Sequence, residues 1–136
     1  NPRCGTSRNT LALIRNTGIE PQVVDYLSAT PTHEALAAMI AQAGLTVREA
    51  MRSKEKVFTE LGLDNLQLGD DALLDAMVAH PILINRPFVV TPVGARLCRP
   101  SEAVLDILPL PQKGAFAKED GEAVIDANGQ RVTKNG

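Results

Sequence analysis

Apolar residues recur at helical spacing along much of the chain. Leu11, Leu13 and Ile14 lie on one face of a helix predicted over residues 6–16, which Gly18 ends. Equivalent patterns predict further helices over residues 32–43, from Thr46, over 54–61, over 72–80 and from Ser101 to about Leu108. The middle of the chain is therefore expected to be largely helical.

Three stretches have the composition of β-strands. β-branched and aromatic residues cluster in residues 21–27, and two further runs, 87–91 and 95–98, flank a turn at residues 92–94. The last two runs predict an antiparallel pair. Together with the helices, this layout predicts an α/β fold with a mixed sheet and a helical insertion. Three strands are few for a core of this size, so we expect a further strand before Asn1.

The chain beyond Pro109 is richer in Gly, Lys and Asp. Residues 127–130 (Ala-Asn-Gly-Gln) carry a turn signal between the apolar pair 124–125 and Val132. We expect a weakly held hairpin or extended arm here, within a single domain that spans residues 1–136.

Composition and charge exclude several classes of protein. The formal net charge of -2 argues against general affinity for nucleic acid, which normally requires a basic surface. The apolar runs are far shorter than the roughly 20 residues that span a bilayer. Only two cysteines occur, Cys4 and Cys98, without a cleavable signal sequence, so a secreted disulfide scaffold is not expected. We therefore expect a cytoplasmic protein.

The residues around Cys4 form a loop suited to a reactive thiol. Cys4 immediately precedes the first predicted helix, where free backbone N–H groups and the positive end of the helix dipole favour thiolate and anions. Gly5 permits close approach of the backbone, and the Ser7 hydroxyl can donate to sulfur. Arg8 adds a positive charge. We predict that Gly5, Thr6, Ser7 and Arg8 stabilise a Cys4 thiolate and hold a small anion beside it.

Other readings of Cys4 are weaker. An isolated cysteine is more often a buried small hydrophobic residue, but the neighbours of Cys4 are polar, whereas Cys98 lies within a predicted strand and is expected to be packed. A phosphatase loop would need arginine where Thr10 stands. A dithiol oxidoreductase or a metal site would need a second cysteine at Ser7, so we expect no metal.

The loop Asn1-Pro-Arg-Cys-Gly-Thr-Ser-Arg-Asn-Thr resembles the active-site loop of the glutaredoxin-coupled arsenate reductases. Three later stretches are similar to the same family: His80-Pro-Ile-Leu-Ile-Asn-Arg-Pro-Phe-Val-Val-Thr-Pro, Gly94-Ala-Arg-Leu-Cys-Arg-Pro-Ser-Glu and Gln112-Lys-Gly-Ala-Phe. The resemblance covers essentially the whole chain and implies a thioredoxin-like fold with a helical insertion. It also implies a short hydrophobic strand ahead of the loop, in agreement with the strand expected before Asn1.

The resemblance implies a role for each site residue. Cys4 would form a covalent thiol–arsenate adduct, Arg52, Arg86 and Arg99 would bind the substrate, and the peptide bond before Pro87 would be cis. No bound cofactor or metal would be needed, because glutathione attacks the adduct and glutaredoxin supplies electrons before arsenite leaves. On position alone each arginine would be a solvated surface charge, but Arg86 and Arg99 flank the ends of the predicted hairpin, where they can converge on the helix start.

Two other functions share parts of this pattern. Thioredoxin-like regulators that bind RNA polymerase and sense thiol stress typically carry Cys-x-x-Cys, whereas Ser7 stands at the second position here. A related reductase acting on another oxyanion would be favoured by loss of one of the three arginines, and all three are present. We therefore expect an arsenate reductase that contributes to arsenic resistance, with glutathione and glutaredoxin as partners and without nucleic acid or membrane.

Overall fold

The computed structural model describes residues 1–132 of the chain. The α-helices in this range are α1 (Gly5–Arg15), α2 (His33–Gln42), α3 (Lys56–Glu60) and α4 (Asp70–Ala79). Single 3-10 helices span Arg48–Ala50, Pro81–Leu83 and Ser101–Ile107. The strands are β1 (Phe88–Val90), β2 (Ala95–Leu97), β3 (Phe116–Ala117) and β4 (Ala123–Ile125).

Local capping chemistry accounts for several helix boundaries. The Thr32 side chain accepts a hydrogen bond from the backbone N–H of Ala35 and caps α2. Thr46 and Glu49 form the capping box that their spacing predicts, with backbone-to-side-chain distances of 2.9 and 3.2 Å. The helix expected after them is nevertheless only one 3-10 turn, because Met51 leaves it to bridge Ile84.

The strands form two antiparallel pairs. Strand β1 pairs with β2 in the register Val89 opposite Arg96, which confirms the predicted hairpin. Strand β3 pairs with β4, and the chain then turns at residues 126–130, where Gly129 has a positive φ of 77°. The backbone N–H of Val132 donates to the Val124 carbonyl at 2.8 Å, which confirms the turn predicted at residues 127–130.

The strand expected over residues 21–27 is absent, and Val23 and Val24 are 60% and 56% exposed. A strand needs a neighbour for its backbone hydrogen bonds, and none of the strands within residues 1–132 lies beside this stretch. Pro100 occupies the N-cap of the 3-10 helix at Ser101–Ile107, and the Ser101 hydroxyl is buried without a hydrogen-bond partner within residues 1–132.

The core consists of two clusters of buried side chains. The first lies between α2, α4 and the adjoining turns and includes Leu36, Ile40, Leu73, Met77 and Leu83. The second joins α1 to the 3-10 helix at Ser101–Ile107 and to β4; its members are Leu13, Ile14, Cys98, Val104, Ile107, Val124 and Ile125. Because β4 contributes Val124 and Ile125, the chain after Pro109 is packed onto the core and is not weakly held. The second cluster fixes α1, and with it the residue that precedes the helix.

Candidate active site

Cys4 occupies the N-cap position of α1. Its backbone is extended (φ −97°, ψ 120°), and its carbonyl accepts the first helical hydrogen bond, from Arg8, at 3.0 Å. At an N-cap, a side-chain acceptor normally meets the free N–H groups of the first turn. The Cys4 thiol therefore lies at the end of α1 where the first backbone N–H groups have no partner within the helix. It is 8% exposed.

The surroundings of Cys4 favour its thiolate. Burial alone would raise the pKa of this thiol, but the backbone N–H and hydroxyl of Ser7, followed by the guanidinium groups of Arg86 and Arg99, outweigh it. Together they lower the pKa of Cys4 from an ordinary 9.0 to about 6. The Ser7 groups act without making hydrogen bonds of standard geometry to sulfur, because the attraction between a dipole and an anion does not require ideal alignment. At neutral pH the thiol is mostly ionised.

Arg99 connects the thiol to the start of β1. Its Nη1 lies 3.7 Å from Cys4 Sγ and donates a hydrogen bond to the Arg86 carbonyl at 3.0 Å. Both Arg86–Pro87, for which the resemblance implies a cis bond, and Arg99–Pro100 are cis peptide bonds. The guanidinium groups of both arginines that flank the β1–β2 hairpin act on the Cys4 sulfur.

Several hydrogen-bond donors beside the thiol have no partner. Ser7 Oγ and the Nε and Nη1 atoms of Arg86 are buried and unpaired within residues 1–132. Buried polar groups are nearly always paired, and leaving one unpaired costs about 1–3 kcal/mol. Unpaired donors of this kind, two of them on a guanidinium, have the chemistry that pairs with a small anion.

The other predicted loop residues have different surroundings. Arg8 is directed to Glu119, with Nε–Oε1 and Nη2–Oε2 distances of 2.7 and 3.1 Å, and its Nη1 donates to the Pro2 carbonyl at 2.9 Å. The Thr6 carbonyl accepts from the Thr10 hydroxyl at 2.7 Å. A Cβ on Gly5 would meet only Arg8, at an ordinary 3.7 Å. Direct contributions of Gly5, Thr6 and Arg8 to the thiolate or to substrate stay predictions.

Arg52 lies next to the segment that carries Arg86 but does not contact the thiol. Its backbone N–H donates to the Leu83 carbonyl at 2.8 Å, and the adjacent Met51 bridges Ile84. Its Nη1 is 3.1 Å from Glu55 Oε1, and it makes no hydrogen bond to Cys4 in the part of the chain that the structure describes. A substrate-binding role for Arg52 would require its side chain to leave Glu55.

Comparison with known proteins identifies the family. The model of the ArsC family matches residues 1–107. An arsenate reductase of Rhizobium meliloti (strain 1021) is 67% identical over 132 residues, which cover 97% of this chain and 94% of that relative. The chain belongs to the ArsC family.

Further relatives agree with this ArsC assignment. An arsenate reductase of Escherichia coli (strain K12) is 57% identical over the same share of each chain. The solved arsenate reductase of Vibrio cholerae superposes with a TM-score of 0.77 at 52% identity, and the match covers 79% of this chain and 92% of that one. The similarities confirm the expected α/β fold class, and α2 to α4 form the helical insertion between α1 and β1.

Sequence reasoning missed one residue of this ArsC site. Tyr26, in the stretch expected to be a strand, lies with its hydroxyl 3.4 Å from the Ile84 carbonyl. Burial raises the pKa of Tyr26, while the charge of Arg86 and a hydrogen bond from Asn1 oppose that rise and the Cys4 charge adds to it. The phenol therefore belongs to the same electrostatic neighbourhood as the thiol. A lone tyrosine in a β-like stretch gave no sign of this.

The second cysteine of this ArsC-family chain lies in the core. Cys98 is fully buried, and burial raises its pKa to about 12. This confirms that Cys98 is packed. Among residues 1–132 there is no cluster of three or more His, Cys, Asp or Glu side chains suited to a metal ion. No helix in that range is long and apolar enough to cross a membrane.

Proposed function

We propose that this chain is an arsenate reductase that contributes to arsenic resistance and acts through a covalent thiol–arsenate adduct on Cys4. The observation that carries the proposal is the position of unpaired donors on Ser7 and Arg86 beside a thiol whose pKa is about 6. A nucleophile and an oxyanion site are thereby adjacent. The relatives named arsenate reductase, at 67% and 57% identity, supply the identity of the oxyanion.

In the first step the Cys4 thiolate attacks arsenic. The new S–As bond replaces one As–OH bond, and the displaced hydroxide takes up one proton and leaves as water. Arsenic stays in the +5 state in this step. Arg86 and Arg99 offset the negative charge that gathers as thiolate and oxyanion approach each other, and Arg52 would add a third cation after leaving Glu55.

The electrons come from thiols outside the chain. Conversion of As(V) to As(III) requires two electrons, and two thiols supply them by forming a disulfide. Cys98, the only other thiol in the sequence, is buried and protonated at neutral pH, so it does not serve as the second one. Glutathione attacks the arsenic of the adduct and displaces a second oxygen as water. A glutaredoxin thiolate then attacks the sulfur of the bound glutathione; the two form a mixed disulfide, and the electron pair of the S–As bond to glutathione stays on arsenic, which becomes As(III). Water finally displaces the Cys4 thiolate, and arsenite leaves. Because such a reductant pool is typical of the cytoplasm, we place the protein there.

The test is arsenate-dependent turnover coupled to glutathione and glutaredoxin. The purified protein should reduce arsenate only when both are present, and Cys4→Ser should abolish the reaction. Cys98→Ser is the matched control, because it removes the other thiol and should leave turnover nearly unchanged. Turnover retained in Cys4→Ser would contradict the proposed nucleophile. Turnover lost in a folded Cys98→Ser would contradict the view that the buried thiol is inert.

A further inference from the structure

The turn between β3 and β4 contacts both the helix that follows Cys4 and the 3-10 helix that follows Arg99. Two consecutive residues make these contacts: Glu119 contacts α1, and Lys118 contacts the 3-10 helix. Glu119 accepts two hydrogen bonds from the Arg8 guanidinium, at 2.7 and 3.1 Å. Lys118 Nζ lies 2.9 Å from Glu102 Oε2. Arg8 is in the first turn of α1, and Glu102 is in the 3-10 helix at Ser101–Ile107.

On the thiol side, Arg8 connects this turn to the loop before Cys4. While Nε and Nη2 bind Glu119, Nη1 donates to the Pro2 carbonyl at 2.9 Å. The backbone N–H of Glu119 also donates to Asn9 Oδ1 at 3.1 Å. The guanidinium thus uses its planar set of donors to hold the Pro2 backbone and the turn at fixed positions relative to α1.

On the arginine side, Lys118 fixes the helix that follows Arg99. Its side chain is only 13% exposed and contacts both Glu102 and Glu122, at 2.9 and 3.2 Å. Glu102 lies three residues after Arg99. Shielded ion pairs hold their geometry better than exposed ones, because solvent competes less for the charges.

We propose that Lys118 and Glu119 are positioning residues that set the separation between the Cys4 sulfur and the Arg99 guanidinium. The inference rests on the proposed roles of Cys4 and Arg99. The distance between Sγ and Nη1 is 3.7 Å, and a small displacement of either α1 or the 3-10 helix at Ser101–Ile107 would change it. The turn lies outside residues 1–107, the part that the family model matches.

The experiment compares Glu119→Gln and Lys118→Met with Glu20→Gln, by ultraviolet titration of the thiolate and by arsenate kinetics. Glu20 is the matched control because both of its carboxylate oxygens pair with Arg15 at the other end of α1, with a shortest distance of 2.8 Å against 2.7 Å for Arg8–Glu119. In both test variants we expect the pKa of Cys4 to rise by about 0.5–1 unit. The KM for arsenate should rise about 3- to 10-fold, since about 1.4 kcal/mol corresponds to a factor of ten.

The sign of the Glu119→Gln result separates positioning from simple charge. Removing a negative charge near a thiol would by itself lower the pKa of that thiol, so a rise can only come from altered geometry. Because the Arg8–Glu119 pair is solvent-exposed, the thermal stability of this variant should stay near that of the wild type. Glu20→Gln should change neither the pKa nor KM.

An unchanged or lowered pKa of Cys4 in Glu119→Gln would overturn the proposal, as would an equal rise in Glu20→Gln. If Lys118→Met does not fold, the exposed Glu119→Gln decides the matter alone. The titration uses no arsenate, so it remains informative even if the protein fails to reduce arsenate. A failure of the proposed function is thereby distinguished from a failure of this inference.

Discussion

Replacing Arg99 by glutamine should raise the pKa of Cys4 from about 6 to about 7. Arg99 is solvent-exposed, so the substitution should not disturb the core. Its Nη1 is nevertheless 3.7 Å from the sulfur and favours the thiolate directly.

The magnitude follows from the geometry. Two unit charges at this distance attract by about 4 kcal/mol at an effective dielectric constant of about 20. Solvent at the exposed guanidinium screens much of this, and Arg99 is the weakest of the groups that lower the pKa of Cys4. A hydrogen bond to a charged group contributes about 1.5–3 kcal/mol, and the lower end of that range corresponds to about one pKa unit.

The assay is the rate of alkylation by iodoacetamide as a function of pH, because only the thiolate reacts. With a pKa of about 6, about three quarters of Cys4 is ionised at about pH 6.5; a pKa of about 7 leaves about one quarter, so the rate should fall about threefold. Cys98 is an internal reference, since it is fully buried with a pKa raised to about 12 and should stay unmodified in the native protein. A wild-type midpoint at about pH 8 or above, or a midpoint unaffected by Arg99→Gln, would refute this account of the thiolate.

Two further predictions concern residues outside the loop. Tyr26→Phe keeps the ring against the core but removes the hydroxyl that donates to the Ile84 carbonyl, two residues before Arg86. We expect this hydrogen bond to help position Arg86, so its loss should raise the KM for arsenate about fivefold, equivalent to about 1 kcal/mol, with the fold retained. An unchanged KM would exclude Tyr26 from the site. His33 pairs with Asp75 at 2.7 Å, which raises the pKa of the histidine and links α2 to α4. Its contribution to stability should be complete below an unfolded pKa of about 6.5 and lost as pH rises through the raised folded pKa, so urea unfolding of Asp75→Asn should differ from wild type most at acid pH. A difference that grows towards alkaline pH would have the wrong sign.

The features that sequence alone predicted are those set by neighbouring residues. The helix expected over residues 6–16 is α1 at Gly5–Arg15, and the expected antiparallel pair is β1 with β2. The prediction that Cys4 lies at a helix start needed only the polarity of its neighbours and the helical pattern that follows it. Each of these depends on contacts within a few residues along the chain, which a periodic pattern records directly.

The features that sequence did not predict depend on distant contacts. Residues 21–27 have strand composition but no strand beside them, so local preference alone does not determine their structure. The sequence did not predict the pairing of Arg8 with Glu119, which lies 111 residues further along the chain. Tyr26 approaches Ile84 across 58 residues. No pattern within one segment contains information about such pairs.

The depressed pKa of Cys4 and the unpaired donors of Arg86 are both required if an oxyanion is to be attacked. Lowering the pKa from 9.0 to about 6 corresponds to about 4 kcal/mol in favour of the thiolate. A single negative charge placed about 4 Å from the sulfur would oppose that thiolate by about the same amount at an effective dielectric constant of about 20. Substrate binding would therefore cancel the depression if the oxyanion kept its full charge. Arg86 favours the thiolate and also carries unpaired Nε and Nη1 donors, so it can neutralise part of the charge of the arriving oxyanion while Arg99 stays 3.7 Å from the sulfur.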